Sequence, residues 1–287
     1  MIERIAILGT GLLGTSVGLA LRAAGFQGSI VGWNRSAEGA QTALAAGAID
    51  SIAADALQAA RQSQVVLLSV PIYASLDFME RLSCILGSEH LVTDMGSTKG
   101  QITLAAGRLF NTPERAAFLP GHPMAGKERG GAELGDANLF RGAVWLFTDD
   151  PDWQRSPHSA ALVKGWREWV GAMGSKTLDL DPARHDELVA WVSHLPQFVA
   201  TALSALLQEE VGDAPELKDV GGRALREMTR LGASPYSMWR DIALTNTEAV
   251  QAALFALEQR LAHLRENLRT PELRDAFEQA NKFRRES

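Results

Sequence analysis

The stretch AILGTGLLGTS, residues 6–16, sets Gly9, Gly11 and Gly14 directly after an aliphatic run and at the opening of an apolar helical segment. In a strand followed by a turn and a helix, each glycine has its own task. Gly9 permits the tight turn, Gly11 lets the backbone approach a pyrophosphate, and Gly14 lets the helix lie close on the strand. The helix N-terminus, at Leu12 and Leu13, supplies N–H groups and partial positive charge. The pattern predicts a dinucleotide site at the first turn of an α/β sheet.

Outward from this loop, RIAIL, SIVGW, VVLLSV, LVTD, AAFLP and AVWLFT read as strands, with alanine-rich segments of helical period between the first five. Such alternation predicts a Rossmann-type doubly wound, mainly parallel sheet over residues 1–180. HSAALVKGWREWVGAMG then gives a helix ending at glycine, and SKTLDL a last edge strand near residue 180. From Pro182 onward the periodicity is helical throughout, so residues 181–287 are expected to form an all-helical dimerisation domain. Long apolar stripes cut off from a sheet would expose too much hydrophobic surface alone, which points to a homodimer. The segment RTPELRDAFEQANKFRRES reads as a charged, partly solvated tail.

The 287 residues carry a formal charge of -6, which argues against nucleic acid or a membrane surface as partner and leaves a small molecule. An anionic ligand must then be held by locally placed basic groups. The one cysteine, Cys84, lies in the apolar stretch LDFMERLSCIL and is expected to be a buried, inert thiol. With no basic-then-apolar leader and no apolar run near the ~20 residues of a membrane span, a cytoplasmic home is expected.

At the end of the second strand, where an NAD enzyme usually keeps an acid for the ribose hydroxyl, the sequence reads GWNRS. Asn34, Arg35 and Ser36 could hold a 2'-phosphate by charge-assisted hydrogen bonds, which favours NADP over NAD. Alternatively Arg35 is a solvated charge and Asn34 still serves NAD. Ser69, Val70 and Pro71 end another strand and should lie along the cofactor.

In VTDMGSTKGQ, Thr98 and Gln101 form a capping box, leaving Ser97 outside the helix and able either to face a ligand or to cap. Asp94 is placed with the cofactor contacts, although it could equally pair with Lys99. In FLPGHPMAG, residues 118–126, Pro123 forbids helical backbone at His122, fixing the imidazole in an extended corner beyond a strand's carboxyl end. There it could accept a proton from an alcohol that gives up hydride, or simply bond to backbone as a turn histidine. In WVSHLPQ, Pro196 must kink or restart the helix beside His194. His185 and His194, nine residues apart on a helix, would point to opposite sides, so no metal site is expected. GRALREMTR sets Arg223, Arg226 and Arg230 on one helix face, with Glu227 able to pair with the first or the last. That face is either solvated or a carboxylate anchor. Trp239 belongs to a core or roofs a site.

In order, GTGLLGTS, TDMGSTKG, GHPMAGKERGG, LFRGA, SHLPQ, REMTR and MWRDIALTN make the chain resemble the prephenate and arogenate dehydrogenase family of tyrosine biosynthesis. The resemblance covers nearly the whole chain. It implies that His122 deprotonates the ring hydroxyl of a cyclohexadiene while Ser97 orients it, that Glu128 lies near the site entrance, and that His194 and Arg230 meet the substrate carboxylates. Lys127 occupies a position that varies in the family and bears on substrate choice. Family members commonly carry Phe, then Arg or Lys, then Asp where this chain has Leu225, Arg226 and Glu227. No regulatory domain is expected to follow. A β-hydroxyacid dehydrogenase or imine reductase would be expected to carry a catalytic lysine in its long interdomain helix, and residues 183–211 contain none. A protein that only senses the nucleotide would leave Ser97, His122 and Arg230 without a shared task.

Overall fold

The computed structural model describes residues 1–286. Six strands, β1 (Arg4–Leu8), β2 (Ser29–Trp33), β3 (Ser51–Ile52), β4 (Val65–Leu68), β5 (Leu91–Asp94) and β6 (Ala117–Leu119), form one sheet in the order β3-β2-β1-β4-β5-β6. Every pairing in it is parallel. Because side chains alternate across a strand, its aliphatic runs feed two separate cores. Ile5, Ile7, Val65 and Leu67 pack with residues of α1 (Leu12–Ala23), α2 (Ala37–Ala45) and α6 (Pro157–Ala172). Ala6, Leu8, Val66 and Leu68 pack with α3 (Ala56–Arg61), α4 (Ile72–Ser83) and α5 (Gly100–Phe110) on the other face. Strand order reverses between β1 and β4, which opens a crevice at their carboxyl ends.

The sixth expected strand lies elsewhere. Pro120, with no N–H for the ladder, follows the last residue of β6. The chain then starts a second sheet, in which β8 (Val144–Phe147) pairs antiparallel with β7 (Gly121–Pro123) and parallel with β9 (Lys176–Asp179). The far edge of the main sheet is instead β3, two residues long and too short to leave a periodic signal.

After Asp179 the described residues are helical or irregular, with no strand. α7 (Pro182–Val189) is capped by the Asp181 carboxylate, which accepts from the N–H groups of Ala183 and Arg184. A π-turn, Ala190–His194, leads into α8 (Leu195–Val211), and Pro196 sits in the first turn of that helix, as the sequence requires of a restart. Then come α9 (Leu217–Val220), α10 (Arg223–Thr229), a 3-10 turn (Arg230–Ala233), α11 (Tyr236–Thr245), α12 (Thr247–Glu266) and α13 (Pro271–Glu286).

The charged tail forms the helix α13, solvated as expected, with no buried residue among those described. Two further expectations are corrected. Cys84 is exposed, because α4 ends at Ser83 and Cys84 caps it from the outer side. Pro182–Val211 runs as one helical rod of 30 residues, apolar and long enough in composition to match a membrane span, although the sequence suggested no such run. The rod also carries polar residues that are fully enclosed, since His194 is 0% and Gln197 4% exposed. Gln197 is satisfied there, donating to Leu231 O at 2.7 Å and accepting from Ser234 Oγ at 3.0 Å.

Trp166 is fully buried in the first core, yet its Nε1 has no partner among the described residues. Trp166→Ala should therefore cost about 3–5 kcal/mol. Trp166→Phe, which keeps most of the ring and deletes an unsatisfied donor, should cost less than about 1.5 kcal/mol. Urea unfolding midpoints of the two variants check the contrast.

Candidate active site

At the crevice, Gly9 has φ +104°, and a Cβ there would lie 2.2 Å from Ser69 O. A Cβ on Gly14 would meet Gly9 O at 2.0 Å, whereas one on Gly11 would have nothing within 4 Å. The first and third glycines thus close the turn, and the second leaves open space in front of it. α1 begins at Leu12 with no side-chain cap, so the first-turn N–H groups, including those of Leu12, Leu13 and Gly14, have no intrahelical acceptor. That cradle fits a dinucleotide pyrophosphate. Ser69 and Val70 are half-buried at the neighbouring strand end, and Pro71 is the N-cap residue of α4. Asn34 is half-buried beyond β2, Arg35 is exposed, and the Ser36 hydroxyl caps α2 by accepting from Gly39 N at 3.4 Å.

Asp94 takes no part in that cradle. It is fully buried, pairs with the buried Lys99 ammonium, and accepts from Gly96 N at 2.8 Å and Gly121 N at 3.0 Å. Lys99 also donates to Gly121 O at 2.8 Å. Burial pushes the lysine pKa down from its ordinary value, against the pull of Asp94. The pair stitches the loop after β5 to the strand that carries His122. The expected capping box is not formed either. Thr98 Oγ1 bonds Thr245 Oγ1 at 2.7 Å, and α5 begins only at Gly100. Its cap comes from 86 residues away: the Asp186 carboxylate of α7 accepts from Lys99 N at 2.7 Å and Gly100 N at 2.8 Å. Ser97, half-buried just before, has a hydroxyl with no partner among the described residues.

His122 sits on β7, 7% exposed, with Nδ1 2.9 Å from His185 Nε2. His185 Nδ1 in turn lies 2.8 Å from Asp186 Oδ1. Burial, then the charges of His185, Lys99 and His194, holds the His122 pKa well below 6.5. Burial also lowers His185, partly offset by Asp186. For Asp186 burial acts upward, but the bonds from His185, Lys99 N and Gly100 N outweigh it and leave the pKa below the ordinary aspartate value. The imidazole of His122 is therefore uncharged near neutral pH.

The two histidines expected on opposite sides of a helix belong to one network, because the π-turn lies between them. Asn246 Nδ2 donates to Asp186 O at 2.8 Å and to His194 Nδ1 at 3.3 Å. His194 therefore carries its proton on Nε2, which is buried without a partner among the described residues. Trp239 Nε1, edge-on to His194 with ring centroids 5.9 Å apart, is a second buried donor without a partner among the described residues. Arg230 is not on the α10 face with Arg223 and Arg226. The helix ends at Thr229, and the Arg230 guanidinium pairs with Glu128 of the loop after β7. Arg223 pairs with Glu227 at 2.6 Å. Lys127 takes its partners from the turn at 132–136, donating to Leu134 O at 2.9 Å and lying 3.9 Å from Asp136.

Family profiles match both halves of this arrangement. The nucleotide-binding domain of prephenate dehydrogenase matches residues 17–172, and the prephenate dehydrogenase dimerization domain matches residues 181–282. The chain belongs to the prephenate dehydrogenase family. It is 30% identical over 247 residues to the prephenate dehydrogenase of Lactococcus lactis subsp. cremoris, an overlap of 86% of this chain and 66% of that protein. This member of the family thus spans just under two thirds of that relative's length. A crystal structure of A. aeolicus prephenate dehydrogenase in complex with hydroxyphenyl propionate and NAD+ superposes with a TM-score of 0.83 at 30% identity, covering 100% of this chain and 96% of that one. Synechocystis arogenate dehydrogenase gives a TM-score of 0.76 at 28% identity, covering 99% of each chain.

Sequence reasoning missed His185, Asp186 and Asn246 as members of the site of this prephenate dehydrogenase family chain. The adjacent pair in ARHDEL was the available signal, but its partners lie 63 and 87 residues away. The histidine cluster has a measurable consequence. Burial lowers the His194 pKa to about 4, so the folded protein binds this proton less readily than the unfolded chain, whose histidines titrate near 6.5. Stability present above pH 6.5 is lost as pH falls toward 4, by up to about 3 kcal/mol from this residue. Urea unfolding of wild type and His194→Gln across that window should show a shallower pH dependence in the variant.

Proposed function

We propose that the chain catalyses the oxidative decarboxylation of prephenate, or of its amino counterpart arogenate, in tyrosine biosynthesis, with NADP preferred over NAD. It does so as a cytoplasmic homodimer, through a nucleotide unit of residues 1–180 and a helical unit of residues 181–287. The observation that carries this reading is a buried, neutral His122 at the sheet edge where the glycine loop opens. The helical unit packed on that edge brings two buried donors that have no partner among the described residues, His194 Nε2 and Trp239 Nε1.

A nicotinamide dinucleotide held at the glycine loop and the first-turn N–H groups of α1 would supply the hydride acceptor for the ring carbon that bears the hydroxyl. His122 accepts the hydroxyl proton, and Ser97, with its own hydroxyl free, shares a hydrogen bond with that oxygen. Arg230 and His194 hold the two carboxylates of the substrate. Glu128 keeps Arg230 paired near the entrance until a substrate carboxylate takes its place, with Lys127 and Trp239 at the margin. The negative charge brought in by the substrate raises the His122 pKa toward the working range. The bond to the departing carboxylate leaves its electron pair in the ring as carbon dioxide is lost, the ring oxygen takes its proton back from His122, and aromatisation supplies the driving force. The protein then has to provide position, a base and anchors for the carboxylates. Asn34, Arg35 and Ser36 are the groups available to a 2'-phosphate.

Absorbance of the reduced nicotinamide, measured with prephenate and arogenate each crossed with NAD and NADP, tests the reading. Turnover should appear with at least one ring acid and with higher kcat/KM for NADP. Silence with both acids would leave a nucleotide sensor, and equal use of the cofactors or a preference for NAD would refute the part given to Asn34 and Arg35. His122→Asn should lower kcat by about 10²–10⁴-fold. Arg230→Gln should act mainly on KM, and full turnover by the His122 variant would overturn the mechanism.

A further inference from the structure

Two residues that the mechanism above does not use, His185 and Asp186, stand directly behind its base. His185 is 0% exposed, and Asp186 is 8% exposed. We propose that they are positioning residues that hold the His122 proton on Nδ1 and so leave Nε2 as the bare nitrogen that faces the reacting hydroxyl. The inference deepens the proposed reading of His122 as base and rests on it.

The argument follows donors and acceptors from the charged end inward. An ionised carboxylate can only accept, so the 2.8 Å contact between Asp186 Oδ1 and His185 Nδ1 requires the proton to be on His185 Nδ1. A neutral His185 then has a lone pair on Nε2. At 2.9 Å from that atom, His122 Nδ1 must be the donor, which empties His122 Nε2. Asp186 stays ionised and fixed because the backbone N–H groups of Lys99 and Gly100 hold its two oxygens. The other charged or titratable groups near His122 are Asp94 at the end of β5, Lys99 from the loop after it and His194 from the π-turn. Lys99 is already paired with Asp94, and His194 is bonded to Asn246, so neither competes for the His122 ring. Once Nε2 has taken a proton, the Nδ1–H bond to His185 becomes charge-assisted and supports the imidazolium. The same logic, with a carboxylate orienting an imidazole, accounts for about 10⁴ in rate in serine proteases.

The experiment reads the tautomer directly. In protein carrying ¹⁵N-labelled histidine, the His122 signals, assigned by their loss in His122→Asn, should show a protonated Nδ1 and a bare Nε2. In His185→Phe, which keeps a ring but offers no acceptor and leaves the Asp186 cap intact, that preference should vanish. Its kcat should fall about 10²–10⁴-fold with KM within about threefold. His185→Gln, whose side-chain oxygen can accept from Nδ1, should restore part of the loss. A proton on Nε2 of His122 in the wild type would overturn the inference. So would a His185→Phe enzyme with unchanged kcat and spectrum, or a glutamine variant no better than phenylalanine. If His185→Phe does not fold, the wild-type tautomer and the glutamine variant still decide. The spectrum needs no substrate, so a chain inactive toward both ring acids would sink the proposed function while leaving the tautomer measurable.

Discussion

One carboxylate, that of Asp186, is the joint on which the site is built. It caps α5, which fixes where the Ser97 loop ends, and it anchors His185, which backs His122. Its own carbonyl accepts from Asn246, which orients His194. A group from the helical part of the chain therefore sets the geometry of the loop after β5 and of the β7 strand that carries His122. Thr98 with Thr245 and Glu128 with Arg230 add further ties between the same two parts. Charge is handled locally throughout. A chain of net charge -6 keeps an enclosed lysine only by pairing it with Asp94, and it keeps three buried histidines neutral. Uncharged donors such as His194 Nε2 can then meet an anion without the desolvation cost of a buried cation.

The parallel sheet and the glycine loop were legible in the sequence because both rest on short-range signals. Aliphatic runs separated by helical periods specify strands buried on two faces, and three glycines at fixed spacing specify one turn. His122 could be singled out because Pro123 restricts its backbone locally and Gly121 permits a close approach beside it. The second sheet was not legible, since β7 is only three residues long and its partners come from two later segments. Nor could the α5 cap be read correctly. Thr98 and Gln101 satisfy a local capping rule, but a carboxylate brought in by tertiary packing replaces both. The same limit applies to Arg230, whose helical face looked continuous with Arg223 until the helix ended one residue earlier.

Asp94 shows how one residue type can serve two roles that a sequence does not separate. At the end of a strand near a nucleotide crevice it could have faced the cofactor. The structure spends its oxygens on Lys99, Gly96 and Gly121 instead, so it holds the loops that line the crevice rather than what enters it. His185 is the reverse case, a residue set aside as a metal ligand that turned out to touch His122.

The π-turn at Ala190–His194 carries one residue more than an α-helical turn would. Excising a single residue there would rewind the helix, rotate everything after it by about 100° and pull it back by about 1.5 Å. The imidazole at 194 would leave Asn246, and the outward Leu206 and Val211 of the same rod would swing to a new bearing. Chain length in this one turn therefore sets the alignment of an inner polar face and an outer apolar face together. Substitutions can adjust either face separately, but an indel at this point would disturb both.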